Sequence, residues 1–284
     1  MRQYDILDSK YKGKLDGFRT IGVDIGSRAA KGVLLIDGEI FCRMVPSGVS
    51  SINTAHEMVD ALLKEAGLSK YDIDAVVGTG YGRVAMSFEN IPFFGVTEIT
   101  CHGIGAHLLN AATRTIVDIG GQDSKVIRID PANGKVDDFV MNDKCAAGTG
   151  RFLEKVAMIL DVGLEELGEI SLQADEEIEI SSQCVVFAES EVISLRSKGV
   201  SKANIAAAIH RATARRIQGL LKRVGFEETM LFTGGVSKNK GMRKAITEVT
   251  GVPIGETSLD TTYAGALGAA YIAATQAGIV GQNI

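Results

Sequence analysis

Two cysteines and two aspartates are the residues whose types and settings could do chemistry. Cys145 lies in Asn142-Asp143-Lys144-Cys145-Ala146-Ala147-Gly148-Thr149-Gly150, and Cys184 follows Ser181-Ser182-Gln183. Each sits in a polar, glycine- or serine-flanked stretch where a helix is expected to start, with Thr149 and Ser182 as candidate N-caps. Thiolates in such settings ligate soft metals, and a cubane iron–sulfur cluster takes four of them. One chain offers two. A two-fold pair of chains would supply four, from identical pairs, at one site on the symmetry axis. The competing reading is two unrelated buried cysteines. Zinc fits less well, because there is no Cys-x2-Cys pair and no nearby histidine. Cys42, in a strand, and Cys101, in an apolar helix, read as core residues.

Asp24 and Asp118 each end an apolar strand and run into a glycine turn: Asp24-Ile25-Gly26-Ser27-Arg28-Ala29-Ala30-Lys31 and Asp118-Ile119-Gly120-Gly121-Gln122-Asp123. Glycine lets backbone N–H groups approach phosphate oxygens. A carboxylate beside it can hold Mg²⁺ through water or orient an attacking water. Lys31 can fold back as a point charge on phosphate, and Gln122 can position a water. A third glycine turn, Gly234-Gly235, follows the strand Met230 to Thr233. One Asp-x-Gly turn would be weak evidence; two between strands, with a later Gly-Gly, indicate a nucleotide site. The chain has no Gly-x4-Gly-Lys-Ser/Thr, so a P-loop is excluded.

The elements that must hold these turns can be read from periodicity. Strands are expected at 20–24, 32–36 and 39–42, the last two joined by an Asp37-Gly38 hairpin turn. Helical spacing covers 54–66, with Gly67 as its stop. A strand follows at 74–77 and a helix at 98–109. The pattern restarts with strands at 115–118, 125–129 and 135–141. Helices are then expected at 149–161, 184–197 and 202–224, a strand at 230–233, and helices at 238–249 and 263–275. Strand–Asp–glycine turn–strand–turn–strand thus occurs twice, which implies two related domains: 20–113, against which the C-terminal helix can pack back, and 114–284, which carries the cysteines. Residues 1–19 form an N-terminal extension.

Composition limits the partners. The 284 residues are 45% hydrophobic, enough for a large core or two ordinary domains. The formal net charge is −5 with no basic block, which argues against nucleic acid. No apolar run reaches the roughly 18–20 residues of a membrane helix. Residues 1–19 are polar and lack the apolar stretch of a secretory signal. Four cysteines in this length do not make a disulfide framework, so a reducing cytoplasm is expected.

With these residues in view, the chain resembles the α/β superfamily of actin, sugar kinases and heat-shock chaperone ATPases. Asp24–Lys31 looks like its first phosphate loop, Asp118–Asp123 its second, and Thr233-Gly234-Gly235-Val236 its adenosine loop. The resemblance implies an actin-like ATPase of two ribonuclease-H-like domains, with ATP or ADP and Mg²⁺ in the cleft between them. More specifically, five stretches resemble the activator ATPases of 2-hydroxyacyl-CoA dehydratases, which are grouped with the ATP-binding subunits of benzoyl-CoA reductase. They are Gly80-Tyr81-Gly82-Arg83, Asp118–Asp123, Met141 to Leu153, Cys184 to Ser194, and Thr233–Val236. The match runs from about Thr20 to about Ala274.

That resemblance implies a homodimer sharing one 4Fe-4S cluster between Cys145 and Cys184 of both subunits. It also implies a ferredoxin or flavodoxin donor and an iron–sulfur dehydratase or reductase acceptor. Asp24 and Asp118 would serve Mg²⁺ and water, and Gln122 the terminal phosphate. Gly26, Ser27, Arg28, Ala29, Ala30 and Lys31 would hold the inner phosphates, with Gly120, Gly121 and Asp123 from the second loop. Gly234 and Gly235 would hold adenosine. A small-molecule kinase of the same superfamily is the alternative, and an actin-like scaffold a further one. His102 and His107 are expected to be structural. Glu189 and Glu191 are expected to cap, pair or touch a partner, and Lys198 with the arginines of 211–223 to form a solvated basic face. Two departures from the activator pattern stand out: Arg28, where a small neutral residue is expected, and the extension 1–19.

Overall fold

The computed structural model describes residue 7 and residues 16–180 and 184–278. Strands β1 (Arg19–Ile25), β2 (Ala29–Ile36) and β3 (Glu39–Pro46) form an antiparallel meander. On its other edge β1 pairs in parallel with β4 (Ala75–Gly80), which pairs with β5 (Phe93–Gly95), giving the order β3-β2-β1-β4-β5. The second sheet repeats the scheme. Strands β6 (Thr115–Ile119), β7 (Ser124–Ile129) and β8 (Val136–Asn142) make the meander, and β9 (Met230–Thr233) lies parallel to β6. The repetition extends to single residues. Asp24 faces Lys31 on β2 and Thr79 on β4, while Asp118 faces Lys125 on β7 and Thr233 on β9. This doubled topology is that of an actin-like ATPase, with two ribonuclease-H-like sheets.

The helices follow local signals. Helix α1 (Ser51–Ala66) starts where the Ser50 side chain accepts from Asn53 N, and stops at left-handed Gly67. Its buried face, Ala55, Met58, Val59, Leu62 and Leu63, covers the first sheet together with Ile21, Val23 and Leu34. Helices α2 (Glu98–Leu109) and α8 (Ala264–Gln276) are buried nearly all round, and α8 returns from the end of the chain to pack on β1 and β4. Helix α6 (Lys202–Val224) fills the other side of the second sheet with Ile205, Ile209 and Ile217. Leu7 and Phe18, from the N-terminal extension, are buried in the central core.

Helices α2 and α8 touch backbone to backbone. A Cβ on Gly105 would overlap the Ala264 carbonyl, and one on Gly268 the Cys101 carbonyl. Gly105→Val is therefore expected to cost about 3 kcal/mol, the upper range of overpacking. Chemical denaturation checks this, and a cost below about 1 kcal/mol would show that the crossing yields easily.

Several elements differ from the sequence expectation. Strand β2 starts at Ala29, so residues 29–31 are strand rather than loop. Helix α3 (Gly150–Leu160) starts five residues beyond Cys145 rather than at it. Thr149 holds its N-cap position, but the hydroxyl donates instead to Ala146 O at 2.6 Å. Helix α5 (Val185–Ser197) has Cys184 at its N-cap position, and Ser182 lies outside the described residues. Helix α4 (Leu164–Ser171), closed at its start by Glu166 reaching back to Gly163 N, was not foreseen, and neither was the short β5. The last helix in the second sheet's layer is α7 (Lys240–Thr250), capped by Asn239. No helix among the described residues is long and apolar enough to cross a membrane.

Candidate functional site

The C-terminal ends of β1, β6 and β9 open into one cleft of about 310 Å³. Its wall includes Asp24, Gly26, Ser27, Arg28, Ala29, Lys31, Asp118, Gly120, Gly121, Asp123, Gly234 and Gly235, so three turns far apart in sequence meet there. Gly234 has φ 84°, and a Cβ at that position would stand 2.7 Å from Asp118 Oδ1. Only glycine lets the third turn pass so close to the carboxylate.

Two of the expected loop residues lie elsewhere. Ala30 is fully buried in the core behind the first sheet, because strand alternation points Ala29 and Lys31 to the cleft and Ala30 away from it. Gln122 lines an adjoining cavity of about 560 Å³ with Lys144, Ala146, Met158 and Val185. The Tyr81 phenol Oη stands 3.5 Å from Gln122 Oε1, at the edge of hydrogen-bonding range. That cavity places the residue after each cysteine, Ala146 and Val185, on a common wall.

The two aspartates differ although their surroundings repeat. Asp118 is held by three neighbouring side chains. Thr233 donates to its Oδ1 at 3.0 Å, Lys125 Nζ to its Oδ2 at 3.2 Å, and His102 Nδ1 lies 3.6 Å from Oδ1. Burial pushes its carboxyl up, but His102, Lys125 and the Thr233 hydrogen bond outweigh that and hold it well below the usual carboxylate range. Lys125 is itself 1% exposed and also reaches Glu98 at 3.0 Å and Asp123 at 3.0 Å. Burial pulls its ammonium down, and the three carboxylates more than reverse this. Burial, only partly countered by Lys125, raises Glu98.

Asp24 is the open counterpart. Its Lys31 partner is farther away, at 3.6 Å, and its buried Oδ1 accepts no hydrogen bond. Thr79, in the place of Thr233, makes no hydrogen bond to it, and its buried hydroxyl is without a partner. Around the inner cleft stand four carboxylates, Asp24, Glu98, Asp118 and Asp123, against two ammonium groups, Lys31 and Lys125. A divalent cation would balance this set, and the orphaned Oδ1 of Asp24 gives it, or its water, an anchor. Glu98, His102 and Asp118 also bring ligand atoms within 4.8 Å of one another, but the Lys125 ammonium already fills that position.

Sequence reasoning therefore missed Lys125, Glu98 and His102, and took His102 for a purely structural residue. A signal for Lys125 was present: Asp24 and Lys31 are seven residues apart, as are Asp118 and Lys125, each pair facing across a meander.

The Cys145 segment is fastened to the second glycine turn through the main chain. Gly150 N donates to Gly120 O at 2.9 Å, and Arg151 N to Gly121 O at 2.9 Å. These are the first two amides of α3, which lack partners inside their own helix. Ahead of them, Asn142 Nδ2 donates to Cys145 O at 2.9 Å and holds the cysteine turn closed. Cys145 is half-buried, Cys184 exposed, and neither is in a disulfide. Cys42 and Cys101 are different: burial pushes both thiols up to about 12, where they stay protonated. Glu189 pairs with Lys155 of α3 at 4.0 Å. The expected basic face on α6 is partly neutralised, since Arg211 pairs with Glu177 and Arg215 with Glu179.

Comparison with known proteins agrees with this geometry. The chain is 44% identical over 255 residues to the (R)-2-hydroxyglutaryl-CoA dehydratase activating ATPase of Acidaminococcus fermentans, covering 89% of this chain and 96% of that protein. It matches the crystal structure of component A of that dehydratase with a TM-score of 0.86 and 42% identity, over 92% of this chain and 100% of that one. It matches the activator of the 2-hydroxyisocaproyl-CoA dehydratase from Clostridium difficile, solved with bound ADPNP, with a TM-score of 0.84 and 40% identity, over 93% and 97%. A doubled Asp–Lys sheet, a three-turn cleft and the free cysteines Cys145 and Cys184 thus occur in a chain that belongs to the BadF/BadG/BcrA/BcrD ATPase family, whose model matches residues 21–273.

Proposed function

We propose that this ATPase works as a homodimer that donates single electrons, under control of ATP, to an iron–sulfur acceptor of the 2-hydroxyacyl-CoA dehydratase or benzoyl-CoA reductase type. The observation that carries the reading is the main-chain bond between the second phosphate turn and the helix behind Cys145. It joins a nucleotide site to a pair of free thiols, a connection that phosphate transfer alone does not need. Residues 20–113 and 114–284 are taken as the two bodies that close on nucleotide.

Within the cleft, Asp24 would hold Mg²⁺ through its unpartnered oxygen, and Lys31 would contact phosphate as a point charge. Ser27, Arg28, Gly120 and Gly121 would cradle phosphates, with Gly234 and Gly235 against adenosine. Asp118, pinned by Lys125 and Thr233, would orient water toward the terminal phosphate. Gln122 would reach that phosphate only after the loop turns inward from the neighbouring cavity.

Cys145 and Cys184 of two chains would hold one 4Fe-4S cluster, which supplies one-electron chemistry when bound. The donor set fits. Each chain has the half-buried Cys145 and the exposed Cys184 on segments that share a cavity wall, while Cys101 is buried and the half-buried Cys42 is, like Cys101, held as a thiol. Gly148 leaves the cysteine turn without a side chain at φ 92°, so its amides can face the sulfurs. The second copy has a surface to meet. Beside Cys184, α5 exposes Val186 at 66%, Phe187 at 67% and Ile193 at 53%. A ferredoxin or flavodoxin is the donor class that fits a low-potential acceptor.

The test is anaerobic purification, with iron and sulfide counted per dimer and absorbance recorded before and after dithionite. About four irons per dimer and a brown band that bleaches are expected. Iron-free protein after anaerobic reconstitution would overturn the reading.

A further inference from the structure

Arg28 departs from the pattern of the activator ATPases, and the structure gives it a specific partner. Its guanidinium meets Glu154 of α3 with both arms: Nε donates to Oε1 at 2.8 Å, and Nη2 lies 2.8 Å from Oε2. On the way it crosses the second phosphate turn, so closely that a Cβ on Gly121 would stand 2.8 Å from Arg28 Cγ. One side chain therefore spans both phosphate turns and ends on the helix that follows Cys145. Besides the apolar face that it packs into the core, helix α3 is then tied to the two turns at two points. Its first amides bind the Gly120 and Gly121 carbonyls, and Glu154, one turn on, binds the first phosphate loop through Arg28.

Phosphate and carboxylate present a guanidinium with the same pair of oxygens, and a forked Arg contact can pass from one to the other without losing its geometry. Arg28 lies on the wall of the nucleotide cleft and on that of the cavity beside the Cys145 turn. The Arg28 side chain is 55% exposed, so its bond to Glu154 is weak enough to be traded.

We propose that Glu154 is a positioning residue that holds Arg28 as a latch, and that ATP phosphate takes Arg28 from it. Filling the cleft thereby frees one of the two attachments of α3 and loosens the cysteine turn ahead of it. The inference rests on the reading that this cleft binds ATP; it does not depend on the cluster.

The test uses the full chain purified anaerobically, with ATP affinity measured by calorimetry. Glu154→Gln releases Arg28 in advance and is expected to tighten ATP about 1.5- to 5-fold, the range that an exposed ion pair converts to. Arg28→Gln is expected to weaken ATP, and Arg28→Gln/Glu154→Gln to match Arg28→Gln alone. Arg28→Lys, which keeps the charge without the fork, should fall between wild type and Arg28→Gln. In hydrogen exchange, ATP should speed the amides of the first turns of α3 in wild type. In Glu154→Gln they should exchange fast with or without ATP. A purely structural pair would give single variants that both weaken ATP, and that result would overturn the latch. Unchanged affinity in Glu154→Gln would overturn it too. Neither readout requires iron, so an iron-free protein would refute the shared cluster and leave the latch test intact. A wild-type chain that does not bind ATP would refute both the cleft reading and the latch.

Discussion

Lys125→Met is expected to lower the unfolding free energy by about 3–5 kcal/mol at neutral pH, because it leaves the buried Asp118, with the half-buried Glu98 and Asp123 beside it, without their cation. Methionine fills a similar volume, so the loss is electrostatic rather than a cavity effect. The pH dependence separates this from ordinary misfolding. In the native chain Asp118 is held below its usual value, so its stabilisation is present above the unfolded carboxylate range near about 3.9 and fades as pH falls through the lower folded value. Without Lys125, burial acts with less opposition on Asp118 and above all on Glu98, whose carboxyl it already raises. The variant should then lose stability as pH increases and recover part of it near pH ~5, where these groups take up protons. Urea denaturation of both proteins at acidic and mildly alkaline pH checks this. A deficit that does not change with pH would show that Lys125 acts through packing.

Cys145→Ser should remove bound iron and electron transfer while leaving nucleotide affinity within about two-fold, since the thiol carries none of the bonds that shape its turn. Asn142 closes that turn on main-chain carbonyls, and α3 is fixed by the Gly120 and Gly121 carbonyls. Serine keeps the volume and the backbone but is a poor ligand for iron. Iron counting, the visible spectrum and calorimetric ATP titration of one preparation check all three parts. Iron retained at the wild-type level would rule out Cys145 as a ligand. Loss of ATP binding together with iron would mean that the turn had collapsed.

Much of the fold was legible because the decisive residues are local. Asp24 and Asp118 end apolar runs and precede glycines, and Asp37-Gly38 and Gly67 stop elements where their backbone demands it. Helix α4 was not legible. It has only eight residues, and Gly168 in its middle weakens any propensity signal; the structure needs that glycine because the Asn239 side chain crowds against it. At the site, the strand start at Ala29 was read too late, which left Ala30 on the wrong face. Gln122 was placed by its loop, whereas its side chain turns to a neighbouring cavity. Lys125 and Glu98 act through pairings between elements 27 residues apart in sequence, which no local pattern reports. The clue was the repeat itself: having assigned Lys31 beside Asp24, the same offset from Asp118 leads to Lys125.

The joint between the second phosphate turn and α3 has a consequence for how this protein can vary. It consists of amide hydrogens from Gly150 and Arg151 and the carbonyls of Gly120 and Gly121, with no side-chain atom taking part. Apart from proline, which lacks the hydrogen, exchanging side chains at 151 leaves that bond's chemistry intact. The Arg28–Glu154 contact is made wholly of side chains and can be lost or gained by one base change. If the cysteine turn answers to nucleotide as proposed, inheritance can adjust how strongly it does so, lineage by lineage, while the underlying linkage passes unaltered.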